Sequence, residues 1–281
     1  VIRQFFLLLD ALPEDRDHLR AVMVGRFKTL ATSPETFAEV LPPLYGALVG
    51  ASTLVRGAAA KVVGELPRRL LSDAPSLLLE ALVALLNDPY QLVLSNTVKA
   101  LERLTLPEPY HAQVRGRLVQ VVSAYAQTRD RVDFLVECTS LFVHRYLTEA
   151  ERAGRAGAWI VQTLANHPPR SFAKELPSLG RDLGTVPAFG QLVLAALQDS
   201  ETMHLHGDDV VRALRDLGPA AIAQIRDPLM EVGKAAPAVE VEFRLGPLHV
   251  EVFSAVGDWT AAQVIAATAV EKVGDTRREL T

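Results

Sequence analysis

The sequence is poor in several features on which other protein classes depend. It has one cysteine, Cys138, in 281 residues, which excludes an intramolecular disulfide and a cysteine-based zinc site within one chain. Aromatic residues make up only 6% of the chain. No apolar run reaches the ~18 residues that a membrane-spanning helix needs, so we expect no membrane segment. With so little cysteine, we expect a reducing, cytoplasmic environment.

Motifs of the common enzyme classes are also missing. The sequence contains no Gly-x-x-x-x-Gly-Lys-Ser/Thr loop to hold phosphates and no Gly-x-Ser-x-Gly frame for a nucleophilic serine. Cys138 falls on a helical apolar stripe with Leu141 and Phe142, which predicts a buried, inert thiol. We therefore expect no cofactor, and a non-enzymatic protein is the leading hypothesis.

What the chain does have is aliphatic residues at helical spacing. Hydrophobic residues make up 49% of the sequence and charged residues 22%, which is typical of a folded protein. In the stretch Leu54–Leu66 the residues Val55, Ala59, Val62, Val63 and Leu66 form one stripe, and small residues lie between them. A helix with such small side chains allows a neighbouring helix to approach closely.

The same pattern of apolar positions, which we call a frame, recurs along the sequence. The copy that begins at Val55 has one similar frame before it, which begins at Leu19, and two after it, which begin at Val93 and Phe134. The frames therefore follow one another at intervals of roughly 40 residues, which is near the period of two-helix repeats. Capping sequences at Ser33-Pro34 and Thr148–Glu151 predict the starts of further helices, the first of which should run to about Val49. Ser52 is available as the cap of the helix at Leu54–Leu66.

The frame at Leu54–Leu66 resembles the HEAT-repeat (armadillo-like) family. Val55-Arg56, Ala59-Ala60, Val62-Val63 and Gly64 match that family's inner-helix pattern. The resemblance implies an all-α fold, an α-solenoid of antiparallel helix pairs whose concave face binds another macromolecule. In this family the position of Arg56 commonly pairs with an acidic residue of an adjacent repeat, but Arg20, Leu94 and Leu135 at the matching places do not continue such a ladder.

The predicted organisation has three parts. Residues 1–165 carry the regular helix pairs, residues 166–236 carry irregular helical repeats, and residues 237–281 form a terminal cap. The second part should hold short helices, among them Pro187–Gln198 and Pro219–Arg226, and Asp227-Pro228 should break or restart the latter. In the cap, the alternation in Val239–Leu245 and Leu248–Val252 around Gly246-Pro247 predicts a β-hairpin, with a helix as the alternative. Asp258 then caps a helix predicted to run from Trp259 to Val273 and to stop at Gly274.

The leading function is an interaction module or scaffold, with a protein as the first choice of partner and nucleic acid as the second. Because the sequence begins with Val1 rather than Met, we expect it to belong to a longer, bacterial polypeptide. Partner contacts are expected from exposed residues of the second helices of the pairs, and the candidates are Glu35, Glu39, Arg115, Arg117 and Arg152.

Two other hypotheses are weaker. One is a nucleic-acid-binding protein related to the HEAT-like DNA glycosylases, but the net charge is −4 and the arginines between residues 115 and 155 alternate with acidic residues. The other is a metal-dependent hydrolase centred on His204, His206 and Asp208, which resemble part of the His-x-His-x-Asp-His motif of the metallo-β-lactamase family. For these residues a helix cap at Asp208 beside two loop histidines is the simpler interpretation.

Overall fold

In a computed structural model, every regular element of the described residues is helical. The structure describes residues 5, 11–13, 16–71, 75–128, 132–235 and 246–279. The all-α prediction is therefore confirmed for this part of the chain. The contacts divide the chain into two compact units, which are Val1–Tyr125 with Glu137–Tyr146 (unit 1) and Ala126–Val136 with Leu147–Thr281 (unit 2).

The helices of the first half are α1 (Asp17–Gly25), α2 (Phe27–Leu30), α3 (Pro34–Val49), α4 (Thr53–Glu65), α5 (Arg68–Leu71), α6 (Ser76–Leu85), α7 (Gln91–Arg103), α8 (Tyr110–Tyr125) and α9 (Val132–Leu141), followed by a π-helical turn at Phe142–Tyr146. The second half comprises α10 (Glu149–Ala153), α11 (Arg155–Ala165), α12 (Leu176–Leu183), α13 (Pro187–Gln198), α14 (Ser200–Arg215), α15 (Pro219–Ala235), α16 (Gly246–Ala255) and α17 (Trp259–Glu279).

Side-chain caps begin several of these helices at the predicted residues. Ser33 and Thr36 form a reciprocal capping box at the start of α3, and Ser52 accepts a hydrogen bond from the backbone N–H of Val55 in α4. Thr148 and Glu151 form a second capping box at α10. Each cap satisfies N–H groups that have no partner inside the helix, so the polar residue fixes where the helix starts.

The small residues of α4 produce a close contact with α7 inside unit 1, as predicted. A Cβ atom added to Gly64 would lie 3.3 Å from the Cα atom of Ala100, and one added to Gly57 would lie 3.4 Å from Leu92. The predicted stripe of α4 is buried, since Val55, Ala59, Val62, Val63 and Leu66 are each at most 9% exposed. Glycine and alanine therefore let the two backbones approach until their aliphatic side chains interdigitate.

Arginines tie successive parts of unit 1 together at helix ends. Each of four guanidinium groups donates to a backbone carbonyl 31 to 41 residues earlier. These carbonyls lie at or near the C-terminal ends of helices, where they lack an intrahelical donor and where the helix dipole favours a cation. The pairs are Arg69 with Thr32, Arg103 with Gly64 and Leu66, Arg117 with Leu86, and Arg145 with Leu104.

The predicted C-terminal hairpin is wrong in its second strand. Residues Leu248–Val252 lie in helix α16, and the first predicted strand, Val239–Leu245, lies outside the described residues. Leu248, Val252 and Phe253 are buried, and spacings of four and five residues place them on one helical face. In a strand Leu248 and Phe253 would lie on opposite faces.

Two predicted helix ends are also wrong. Helix α15 continues through Pro228, although proline cannot donate to the carbonyl of Gln224. The Nε2 group of Gln191 on α13 reaches that carbonyl at 3.5 Å, so a neighbouring helix compensates for part of the loss. Helix α17 begins after the predicted Asp258 cap but passes Gly274 and runs to Glu279.

Among the residues that the structure describes, no helix combines the length and the apolar character needed to cross a bilayer.

Candidate interaction surface

The faces of α1, α4 and α7 that point away from the core of unit 1 carry exposed aliphatic side chains. Val22, Leu54 and Leu92 are 53%, 46% and 53% exposed, one on each helix. Leu92 packs against Gly57, which lies one turn after Leu54 on α4. We call Val22, Leu54 and Leu92, with the lysines that border them, the α1–α4–α7 surface.

A groove runs between the first two helices of this surface. It has a volume of about 330 Å³. Ala21, Val22 and Gly25 of α1 line one side of it, and Leu54 and Ala58 of α4 line the other. Its width follows from the sequence, because glycine and alanine occupy positions where larger side chains would fill the space. The groove can therefore accept an apolar side chain from another molecule.

Charged residues border the apolar part of the surface and form ion pairs within one helix and between helices. Lys28 bonds to Glu65 at 2.5 Å, and Lys61 approaches the same carboxylate at 3.9 Å. Lys99 of α7 pairs with Glu137 of α9 at 2.8 Å. Because two glutamates offset all but one of the three lysine charges here, this border lacks the strongly basic character that nucleic-acid binding requires.

Some of the partner-contact residues predicted from the sequence are exposed, and others form bonds within the fold. Glu35 and Glu39 are exposed on α3. Arg117 donates to the carbonyl of Leu86 at 3.0 Å and to Gln120, and Arg152 forms an ion pair with Asp182. Arg115 is half-buried on α8. Arg117 and Arg152 thus hold the fold together, and Arg152 lies in unit 2 whereas the other four residues lie in unit 1.

The three predicted metal ligands lie on one helix. His204, His206 and Asp208 all belong to α14, which starts after the Asp199 cap rather than at Asp208 and has a non-helical kink at His206. His204 and Asp208 are exposed, and His206 faces Asp209 at 3.8 Å. Across the described part of the chain, no group of three or more histidine, cysteine or acidic residues has an arrangement that could hold a metal ion.

Cys138 is fully buried in α9, as its stripe predicted. Burial raises the pKa of its thiol far above the usual range, and the neighbouring Glu137 carboxylate raises it further. A thiolate is therefore strongly disfavoured at this position, which agrees with the predicted inert role.

Sequence reasoning missed the α1–α4–α7 surface because it looked for contacts on the second helices. A signal was present, since Lys61 and Lys99 occupy the same place in two successive frames, and Leu54 and Leu92 do likewise. The repeat alone does not show that Leu54 and Leu92 are exposed, because leucine is among the residue types that are most often buried.

Comparison with models of protein families and with curated proteins gave no match for this chain.

Proposed function

We propose that this chain is a non-enzymatic interaction module with α-solenoid architecture, and that its α1–α4–α7 surface binds a protein segment. The observation that carries the proposal is the exposure of aliphatic side chains on three neighbouring helices. Leu54 and Leu92 hold equivalent places in two successive frames, and Val22 lines the same groove as Leu54. A ladder of this kind matches a peptide or helix that presents apolar side chains at regular intervals.

The contacts between repeats support the solenoid part of the proposal. In unit 1 the arginine bonds to helix ends recur at separations of 31 to 41 residues, and α4 approaches α7 closely. A stack in which each unit contacts its neighbours produces such a repeat, and it leaves one helix face of every unit open.

The charges on the surface favour a protein over nucleic acid. Glutamates partly neutralise Lys28, Lys61 and Lys99, and apolar side chains lie between these lysines. A protein segment would bury Val22, Leu54 and Leu92, while phosphates would leave these side chains without a partner. Binding to duplex DNA over a salt series tests the second hypothesis, which requires an affinity that falls steeply with salt.

Site-specific photo-crosslinking tests the location of binding. We expect a photoreactive residue at Leu54 to crosslink a defined protein in an extract of the native host, and the same residue at Leu77 to crosslink none. Leu77 on α6 is the matched control because it is an aliphatic residue of the same unit and is 57% exposed.

The crosslinked protein is then purified and titrated against three forms of the chain. Leu54→Glu should weaken binding at least tenfold, because a buried unpaired carboxylate at an interface is costly, and Leu77→Glu should leave the affinity unchanged. Equal effects of the two substitutions, or identical crosslinking at the two positions, would refute binding at the α1–α4–α7 surface.

A further inference from the structure

The side chain of Arg56 joins two loops, the one before α4 and the one before α7. Arg56, near the start of α4, uses Nη1 to donate to the backbone carbonyls of Gly50 and Ala51 in the loop before its helix, at 2.9 and 2.6 Å. Its Nε donates at 2.7 Å to the carboxylate of Asp88, an acidic residue that lies 32 residues later and before α7. Arg56 therefore bonds both to the loop that precedes its own helix and to the loop that precedes the next frame. Both side chains of the pair with Asp88 are largely buried.

The bond from an arginine Nε to an aspartate carboxylate also occurs in unit 2. There the Nε of Arg226 donates at 2.5 Å to Asp258, again 32 residues later and again just before a helix, α17. Because the same atoms meet at the same sequence separation, the pairing of Nε with a carboxylate is a recurring feature of this chain. A guanidinium group that is partly removed from water needs such a partner.

Arg20 makes only the first of these two bonds, the one to the backbone that precedes its own helix. It occupies the place in the first frame that Arg56 occupies in the second, and its Nη2 donates to the preceding carbonyl of Leu12 at 2.5 Å. For Arg20, the loop that corresponds to the one with Asp88 is Gly50-Ala51-Ser52, before α4. This loop carries no carboxylate. The Nε of Arg20 is buried and has no hydrogen-bond partner among the described residues.

A cavity lies between Arg20 and this loop. It has a volume of about 270 Å³ and is lined by Arg20, Gly50, Ala51 and Ser52 on the polar side. Its other walls are aliphatic for the most part, with Val24, Pro43, Ala47 and Val55. Asp17 also lines the cavity, and its charge opposes the entry of an anion.

We propose that this cavity binds a short aliphatic carboxylate, whose carboxyl group takes the place that Asp88 has beside Arg56. The carboxylate would accept from Arg20, and the hydrocarbon chain would contact the aliphatic walls. Charge-assisted bonds to a guanidinium group supply the selectivity for an anion over a neutral analogue. The negative charge of Asp17 should keep the affinity modest.

Titration calorimetry with pentanoate and its neutral isostere pentanamide tests the proposal. We expect the intact chain to bind pentanoate and not pentanamide. Arg20→Gln should weaken pentanoate binding at least tenfold. Asp17→Asn should tighten it, because the opposing charge is gone.

Substitution of Ser52 separates this site from incidental anion binding. Ser52→Asp keeps a helix cap for α4 and adds a carboxylate beside Arg20, so it should abolish pentanoate binding and raise the melting temperature. Ser52→Asn is the matched control, because asparagine also caps a helix but carries no charge, and it should retain binding within twofold.

Three results would overturn the proposal. Equal binding of pentanoate and pentanamide would show that the charge is not recognised, and undiminished binding by Ser52→Asp would place the anion elsewhere. The sequence also holds Glu14 and Asp15 shortly before α1, outside the described residues. A lower melting temperature for the Glu14→Gln, Asp15→Asn double variant that disappears in the Arg20→Gln background would mean that Arg20 already has a carboxylate partner.

Discussion

His167 is a titratable side chain in an apolar setting. It is 6% exposed, lies in the wall of a cavity of about 280 Å³ in unit 2 with Phe172 and Leu192, and makes no ring hydrogen bond of ordinary geometry with a described residue. Burial lowers the pKa of its imidazole, and this outweighs the backbone of Ala126, which acts in the opposite direction. The folded chain therefore keeps His167 neutral under conditions in which an exposed histidine would take up a proton.

This predicts a loss of stability in mild acid. The unfolded chain binds the proton with an ordinary pKa of about 6.5, so stability from neutral His167 is present above that pH and is lost as the pH falls below it. The decrease in melting temperature between pH 7.5 and pH 5 should be smaller in His167→Leu than in the unchanged chain. His204→Gln, at an exposed site, is the control and should keep the full decrease. If His167→Leu shows the same pH dependence as the unchanged chain, His167 is not the responsible group.

The residue scale is also where sequence reasoning succeeded best. Ser33, Ser52, Thr148 and Asp258 cap helices as predicted, because a cap depends on atoms within three or four residues along the chain. The arginine partners could not be predicted in this way. The bond from Arg56 to Asp88 joins residues 32 positions apart, and the sequence contains many acids at such distances.

At the scale of elements, the contact between α4 and α7 depends on the absence of side-chain atoms at Gly64. The Cβ of any other residue would lie 3.3 Å from the Cα of Ala100 and 3.4 Å from its backbone nitrogen, so the two helices would have to separate. Backbone atoms cannot move aside as a side chain can, so a large substituent at this position should weaken the packing of unit 1.

Gly64→Val should therefore lower the free energy of unfolding by about 1–3 kcal/mol. Gly116→Val on α8 is the matched control, because no atom lies within 4 Å of a Cβ added there, and its effect should stay within about 0.5 kcal/mol. Urea denaturation followed by circular dichroism measures both. Equal destabilisation by the two substitutions would mean that loss of glycine itself, and not the contact with Ala100, is responsible.

Helix existence was easier to predict than helix ends. The stretch around Val55 has the right period over several turns, and α3 and α13 have the predicted bounds. The prediction failed where tertiary packing overrides a local signal, as in the helix through Pro228, where Ile225 and Leu229 are fully buried. It also failed at Leu248–Val252, where the segment is too short for its period to distinguish a strand from a helix.

At the scale of the whole molecule, the candidate surface shows the limit of sequence reasoning most clearly. The repeat made an interaction module the leading hypothesis, but a periodic pattern says which residues are equivalent and not which of them are covered. Leu54 and Val55 are adjacent and both aliphatic, yet Leu54 is 46% exposed and Val55 is 9% exposed. The predicted stripe included Val55 and left out Leu54, but it also left out Ala60, which is fully buried. Only the packing of α4 against its neighbours therefore shows which residues outside the stripe are exposed.

The proposed stacking of successive helix pairs as an α-solenoid is central, because the proposed surface and the interpretation of the Arg20 contact both depend on that repeat. Small-angle X-ray scattering coupled to size-exclusion chromatography tests it on the monomer. A compact globule of this length has a radius of gyration of about 19 Å. We predict a clearly larger radius and a distance distribution with a long tail, whereas a radius near that value with a symmetric distribution would contradict the solenoid.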